Sequence, residues 1–162
     1  MKSLTQGWVN ILAGDNWPSI SDFWSNQQYT SSPSQIPESM RHVSVAQMAE
    51  SFNRQIDEIA MPILQRYNKP AIFTEAGGCK NYDGGSIMPW IQPFEILPID
   101  NQEQADYSEA AAMVASERPR ITGFFWWAFI NNAGPYYDDW VDFPTEDPRF
   151  KPAEQVISVW FR

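Results

Sequence analysis

Apolar positions along this chain follow two alternating rhythms, short continuous runs and stretches that repeat every three to four residues. The run Trp8-Val9-Asn10-Ile11-Leu12-Ala13, closed by Gly14-Asp15-Asn16, predicts a buried strand. The Ser-, Gln- and Pro-rich stretch from Ser25 to Arg41 predicts a loop. Ser44 with Gln47 three residues later has the form of a capping box, in which each residue satisfies the other's backbone N–H. In the helix it opens, Met48, Phe52, Ile56, Ile59 and Ile63 are spaced 4, 4, 3 and 4 on one face. Pro62 is expected to kink its last turn, and Tyr67-Asn68 to end it.

The rhythm then repeats. Ala71-Ile72-Phe73-Thr74-Glu75 predicts a second strand, ending abruptly in Ala76-Gly77-Gly78, and a long loop follows from Cys79 to Ile99. Asp100 and Glu103 predict another capping box, opening a helix through Gln104, Tyr107, Ala111 and Val114 that Pro119 stops. The third strand is expected over Ile121–Phe129, followed by a second long loop, Asn131 to Phe150. The last helix has Pro152 in its first turn and Ala153, Val156, Ile157, Trp160 and Phe161 on its expected inner face.

Apolar strands alternating with amphipathic helices predict an α/β fold, a parallel sheet covered by helices, in one domain over residues 1–162. In the second and third units the long loop follows the strand and the return from the helix is short. That asymmetry predicts a functional face at the C-terminal ends of the strands.

Charge narrows the partners. Eleven Lys and Arg against 20 Asp and Glu leave a net charge of −9, with no basic cluster. Nucleic acid, which needs a cationic footprint, and anionic membrane surfaces are therefore disfavoured. The first residues carry no apolar signal-peptide core, and the longest apolar run, Phe124 to Ile130, is far short of the ~20 residues that span a bilayer. The expectation is a soluble chain whose location is left open. Cys79 and His42 are the only cysteine and histidine, which excludes an internal disulfide and a zinc site built from those ligands. No cofactor is expected. Aromatic residues are abundant, with 8 Trp, 6 Tyr and 10 Phe. Flat faces with polar edges suit sugar rings, which present C–H faces and hydroxyl rims.

Among the carboxylates Glu75 stands apart, because it closes an apolar strand and precedes two glycines that permit close approach. A carboxylate so placed is partly desolvated and aimed, as a nucleophile or general acid/base requires. Position alone equally allows a structural Glu paired with Arg or backbone N–H.

The segment Lys69-Pro70-Ala71-Ile72-Phe73-Thr74-Glu75-Ala76-Gly77-Gly78 resembles the seventh strand of clan-A glycoside hydrolases, (β/α)8 barrels whose nucleophile is the Glu ending that strand. Gln102–Tyr107 resembles the following helix, and Gly123–Phe129 the eighth strand with its sugar-stacking Trp. Lys151-Pro152-Ala153-Glu154-Gln155-Val156-Ile157 resembles the closing helix. Together they look closest to the family 113 endo-β-mannanase-like group, with the match covering the last three of eight barrel units.

The resemblance implies that Glu75 is the nucleophile of a retaining hydrolase acting on a β-linked polysaccharide such as mannan. It implies Trp126 or Trp127 as the platform under the sugar, while Trp17, Asn16, Tyr82, Asp83, Trp90 and Tyr136 are expected along the cleft. Two departures accompany it. Asn16 or Trp17 stands where relatives carry a Tyr that hydrogen-bonds the nucleophile. The acid/base, placed by the resemblance in an Asn-Glu pair after a fourth strand, has no counterpart in this chain. Three units cannot close a barrel, so pairing with the missing part of a barrel, or self-association, is expected. The alternatives are a non-catalytic carbohydrate-binding remnant and a structural barrel-like module.

Overall fold

The computed structural model describes residues 9–11, 38–77, 79–86, 98–127 and 145–162. Among these described residues the elements follow in the order β1 (Val9–Ile11), α1 (Glu38–Arg41), α2 (Val45–Gln55), a π-helical turn (Ile56–Ala60), α3 (Met61–Tyr67), β2 (Ala71–Gly77), α4 (Asn101–Ser116), β3 (Ile121–Trp127) and α5 (Pro152–Trp160). The three strands form one parallel sheet in the order β1-β2-β3. Val9 pairs with Ala71 and Ile11 with Phe73, and Ala71 in turn pairs with Ile121. Among the described residues β1 and β3 each have one strand neighbour, so the central position belongs to β2. This is the α/β arrangement that the alternating rhythm predicts.

The expected capping box at Ser44 forms. Its hydroxyl accepts from the Gln47 N–H at 3.3 Å, and the Gln47 side chain accepts from the Ser44 N–H at 3.1 Å. Asn68 closes α3 in the left-handed conformation (φ 48°), where an Asn is better tolerated than most side chains. The stretch expected to be loop as far as Arg41 instead ends in one helical turn, Glu38–Arg41.

The inner face of the long helix departs from the expected one. Met48, Phe52 and Ile56 are buried, but the face continues through Ala60 and Leu64, while Ile59 and Ile63 are 57% and 40% exposed. The π-turn is the reason. Met61 N–H bonds back to Ile56 C=O, five residues earlier, and the wider turn brings residues spaced by four onto one line. In a straight α-helix a spacing of four drifts by about 40° per step. Pro62 supplies a local cause, since it lacks the N–H that would continue the α-helical ladder and its ring crowds the preceding turn.

The core lies between the sheet and the helices. Met48, Ala49 and Phe52 from α2, and Ile56 and Ala60 from the π-turn, meet Phe73 and Ile121 from the strands. Tyr107, Ala110, Ala111 and Val114 of α4 close it. Phe52 and Tyr107 meet edge to face, with centroids 5.1 Å apart and planes at 82°. Each large side chain buried here contributes about 1.5–3 kcal/mol. At the other end of α4, Arg118 reaches across to Asn53 and Asp57, with 2.6 Å to the Asp57 carboxylate. The helix α5 rests on α4, and Trp160 donates its indole N–H to Glu109 at 2.7 Å. On α5 Ala153 is buried and Val156 and Ile157 are half-buried, but Phe161, expected inside, is 55% exposed and Trp160 lies at the rim. Among the described residues no helix is long and apolar enough to cross a membrane.

Candidate functional site

The strand that carries Glu75 is the middle one, and its register is interrupted at that residue. Phe73 pairs with Phe124 and Ala76 with Trp126, so Thr74 and Glu75 together lie opposite Phe125 alone. This is a β-bulge, a device that resets side-chain alternation and is common beside active sites. Phe73 and Trp126 both pack on the helix-side core, whereas Phe125 is 64% exposed. The strand continues two residues past Glu75, to Gly77, rather than ending at the acid. The Glu75 side chain itself lies outside the described residues.

Beyond β2 the chain enters a buried polar base. Tyr82 and Ile99 form an antiparallel bridge. Asp83 N–H donates to Pro98 C=O at 3.0 Å and Asp100 N–H to Asn81 C=O at 3.1 Å. The two ends of the β2–α4 connection are thereby held side by side. Two glycines make this possible: Gly84 adopts φ +85°, and a Cβ at Gly85 would collide with the Lys80 carbonyl.

The expected Asp100/Glu103 capping box forms only by half. Asp100 accepts from the N–H groups of Gln102 and Glu103, each at 3.0 Å. Its own N–H is taken by Asn81, so Glu103 does not reach back. The Glu103 carboxylate instead accepts the N–H of Gly84 at 2.8 Å, the N–H of Ser86 at 2.9 Å and the Ser86 hydroxyl. Burial pushes its pKa up to about 7, with the three hydrogen bonds opposing and the nearby Asp100 charge adding to the rise.

The same base ties the three strand-to-helix connections to one another. Asn81 accepts from Thr145 N–H at 2.8 Å and donates to Asn101 at 2.8 Å. Gln104 donates to the carbonyls of Cys79 at 2.8 Å and Thr145 at 3.0 Å. Lys151 donates to the carbonyls of Thr145 and Asp147, at 3.2 and 2.7 Å, and its burial pulls its pKa down to about 8. Lys80 pairs with Glu146 at 3.5 Å. Toward the first connection, Arg41 pairs with Asp83 at 2.9 Å. Cys79 is buried and its thiol is pushed well up by desolvation, which makes it inert rather than nucleophilic.

The expected substrate residues are distributed unevenly. Tyr82 is fully buried, and desolvation raises its hydroxyl pKa, so it belongs to the loop base and not to a cleft wall. Asp83 is an ion-pair partner in the same base. Trp126 packs half-buried against the helix-side core. The backbone of Trp127 pairs with Gly77, one residue beyond the Ala76–Trp126 pair, while its side chain lies outside the described residues. So do Asn16, Trp17, Trp90 and Tyr136 entirely. Among the described residues no three His, Cys, Asp or Glu side chains form a metal-holding group. Sequence reasoning missed Glu103 as a loop ligand, because its donors lie 17 and 19 residues away and no local spacing betrays them.

A model of the family described as Glycoside Hydrolase Family 113 matches residues 5–140. The structure of a GH113 β-1,4-mannanase is similar at 28% identity and a TM-score of 0.58, over 70% of this chain and 35% of that one. A complex structure of a GH113 β-1,4-mannanase aligns at 24% identity and a TM-score of 0.60, over 95% of this chain and 44% of that one. The GH113 β-mannanase AaManA from Alicyclobacillus acidocaldarius, in complex with ManMIm, aligns at 20% identity and a TM-score of 0.58, over 70% and 35%. The last two show the fold alone. The chain spans between about a third and under half of the length of these structures. No curated protein matches it.

Proposed function

The chain belongs to glycoside hydrolase family 113, a family of clan A whose enzymes act on carbohydrates, and from that premise we propose that it forms part of a retaining hydrolase of β-linked mannan. In this reading its units correspond to the sixth, seventh and eighth of a (β/α)8 barrel, and Glu75 is the nucleophile. The observation that carries it is the bulge at Thr74–Glu75 on the central parallel strand, opposite the exposed Phe125. The Glu75 carboxylate attacks the anomeric carbon, the bond to the leaving oxygen breaks, and a glycosyl-enzyme forms. Water then releases the sugar. The leaving oxygen needs a proton from a second carboxyl, one that lies about 5–5.5 Å from the nucleophile. In the proposed enzyme that group comes from barrel units other than these three. Trp126 or Trp127 is the proposed platform beneath the sugar, and Trp17, Asn16, Trp90 and Tyr136 are the proposed cleft residues.

Hydrolysis of mannan, xylan and cellulose by the full-length protein tests this reading. Mannan turnover is expected, with Glu75→Gln lowering kcat/KM by ~10³-fold or more. Turnover unaffected by that substitution removes Glu75 from the nucleophile's role. Sugar binding without turnover favours a carbohydrate-binding role instead.

A further inference from the structure

Among the described residues, Asn68 and Phe150 are the non-glycine residues with positive φ. Asn68 ends a helix, where that conformation is common. Phe150 holds φ 62° with a bulky side chain, whose Cβ then crowds the following carbonyl. The turn before α5 imposes this. Asp147 N–H donates to the Thr145 hydroxyl at 3.2 Å, Arg149 N–H to the Asp147 carboxylate at 3.0 Å and Lys151 N–H to Pro148 C=O at 3.2 Å. Phe150 N–H itself donates to the Glu154 carboxylate at 2.7 Å. Asp147, Pro148 and Lys151 are buried, whereas Phe150 is 58% exposed, so its ring regains little of the backbone cost through burial. Strain that the surroundings hold in place in this way concentrates at ligand-binding positions.

The turn also stands at the functional end of the sheet. Asn81 holds Thr145 N–H and Gln104 holds Thr145 C=O, which seats the turn against the connection leaving the C-terminal end of β2. We propose that Phe150 is a sugar-binding residue there, its ring stacking on the C–H face of a pyranose in a bound β-linked mannan chain. A flat apolar ring fixed by its own backbone loses little freedom on binding, which is what a stacking platform needs. The identity of the sugar rests on the mannan reading above; the strain does not.

Calorimetric titration of mannohexaose into the full-length protein tests the stacking. Phe150→Ala is expected to raise Kd about tenfold, and Phe150→Tyr, which keeps a ring, to stay within about twofold of the parent. Phe150→Gly also lacks the ring but relieves the backbone, so it repeats the binding arm if the alanine variant does not fold. Thermal unfolding of the two small variants tests the strain: glycine is expected to melt about 3 °C above alanine, the reverse of their order at negative φ. Alanine melting above glycine overturns the inference, as does a parent that binds no mannohexaose. Equal affinity in Phe150→Ala and the parent overturns it too, while mannan turnover by that parent leaves the hydrolase reading standing. Binding that depends on Phe150 without turnover upholds the inference and removes the hydrolase. A dimer that Phe150→Ala dissolves, with sugar affinity unchanged, gives the ring to a protein interface and overturns the sugar role.

Discussion

The helix-covered core of this small sheet and the loop base beyond its strands are held by different kinds of force, and the contrast explains how the protein divides its labour. Between sheet and helices, Met48, Phe52, Ile56, Phe73, Tyr107 and Val114 make a dry core in which stabilisation scales with area and each contact is replaceable. At the loop base, Asn81, Glu103, Gln104 and Lys151 satisfy buried backbone groups one by one. Removing a partner there leaves an unpaired polar atom in a low-dielectric setting, which costs more than the bond contributed. The core supplies stability, whereas the base supplies position. A cleft built on loops needs the second kind of support, because apolar contacts alone do not fix a backbone's direction.

The largest effect expected from testing this contrast is in the core. Phe52→Ala empties a fully buried site and leaves the Tyr107 edge unsupported, so denaturant unfolding should show a loss of about 3–5 kcal/mol. The contrast breaks if that variant instead loses protection only at residues 81–86.

The next effect is a pH dependence at the base. Glu103 titrates near 7 in the folded protein against 4.5 for a free side chain. The folded state therefore binds more protons between those values. The contribution is fully present below about 4.5 and is lost as pH rises through about 7, worth about 3 kcal/mol at most. Lys151 has the opposite sign: its pKa is lowered from 10.5 to about 8, and its contribution is present above 10.5 and lost as pH falls through about 8. Unfolding curves from pH 4 to 8 should decline for the parent and lie flatter for Glu103→Gln. Parallel curves for the two proteins count against the assignment.

The smallest effect sharpens the boundary of the core. Ile59→Ser, on the exposed side of the π-turn, should change stability by no more than about 0.5 kcal/mol. Leu64→Ala, on the face the π-turn brings inward, should cost about 2–5 kcal/mol in the same assay. Equal costs would mean that the helix runs straight.

These helices also show where sequence reading succeeds and where it stops. The Ser44–Gln47 box, the apolar positions Met48, Phe52, Tyr107 and Val114, and the strands around Ile72 and Phe124 were legible because each signal is local and repeats. Ile59 and Ile63 were misplaced because a spacing of three or four fits an α-helix equally well, and only the five-residue hydrogen bond from Met61 to Ile56 tells the turns apart. Asp100 and Glu103 have the spacing of a capping box, but Asn81 wins the Asp100 N–H and frees Glu103 for Gly84 and Ser86. Tyr82 reads as ligand surface by residue type but is fully buried, since an aromatic ring serves a cleft and a core by the same chemistry.

What the amino-acid order decided alone is the alternation of strands and helices, the parallel sheet that follows from it, and the acid near the end of the middle strand. These depend on periodicity and capping, which act over a few residues. Folding in three dimensions decided which face each helix buries past the π-turn, which side of a bulged strand a residue belongs to, and which buried donors a carboxylate meets. Those outcomes are competitions between partners far apart in the chain, won by the donor that folding brings within hydrogen-bond reach.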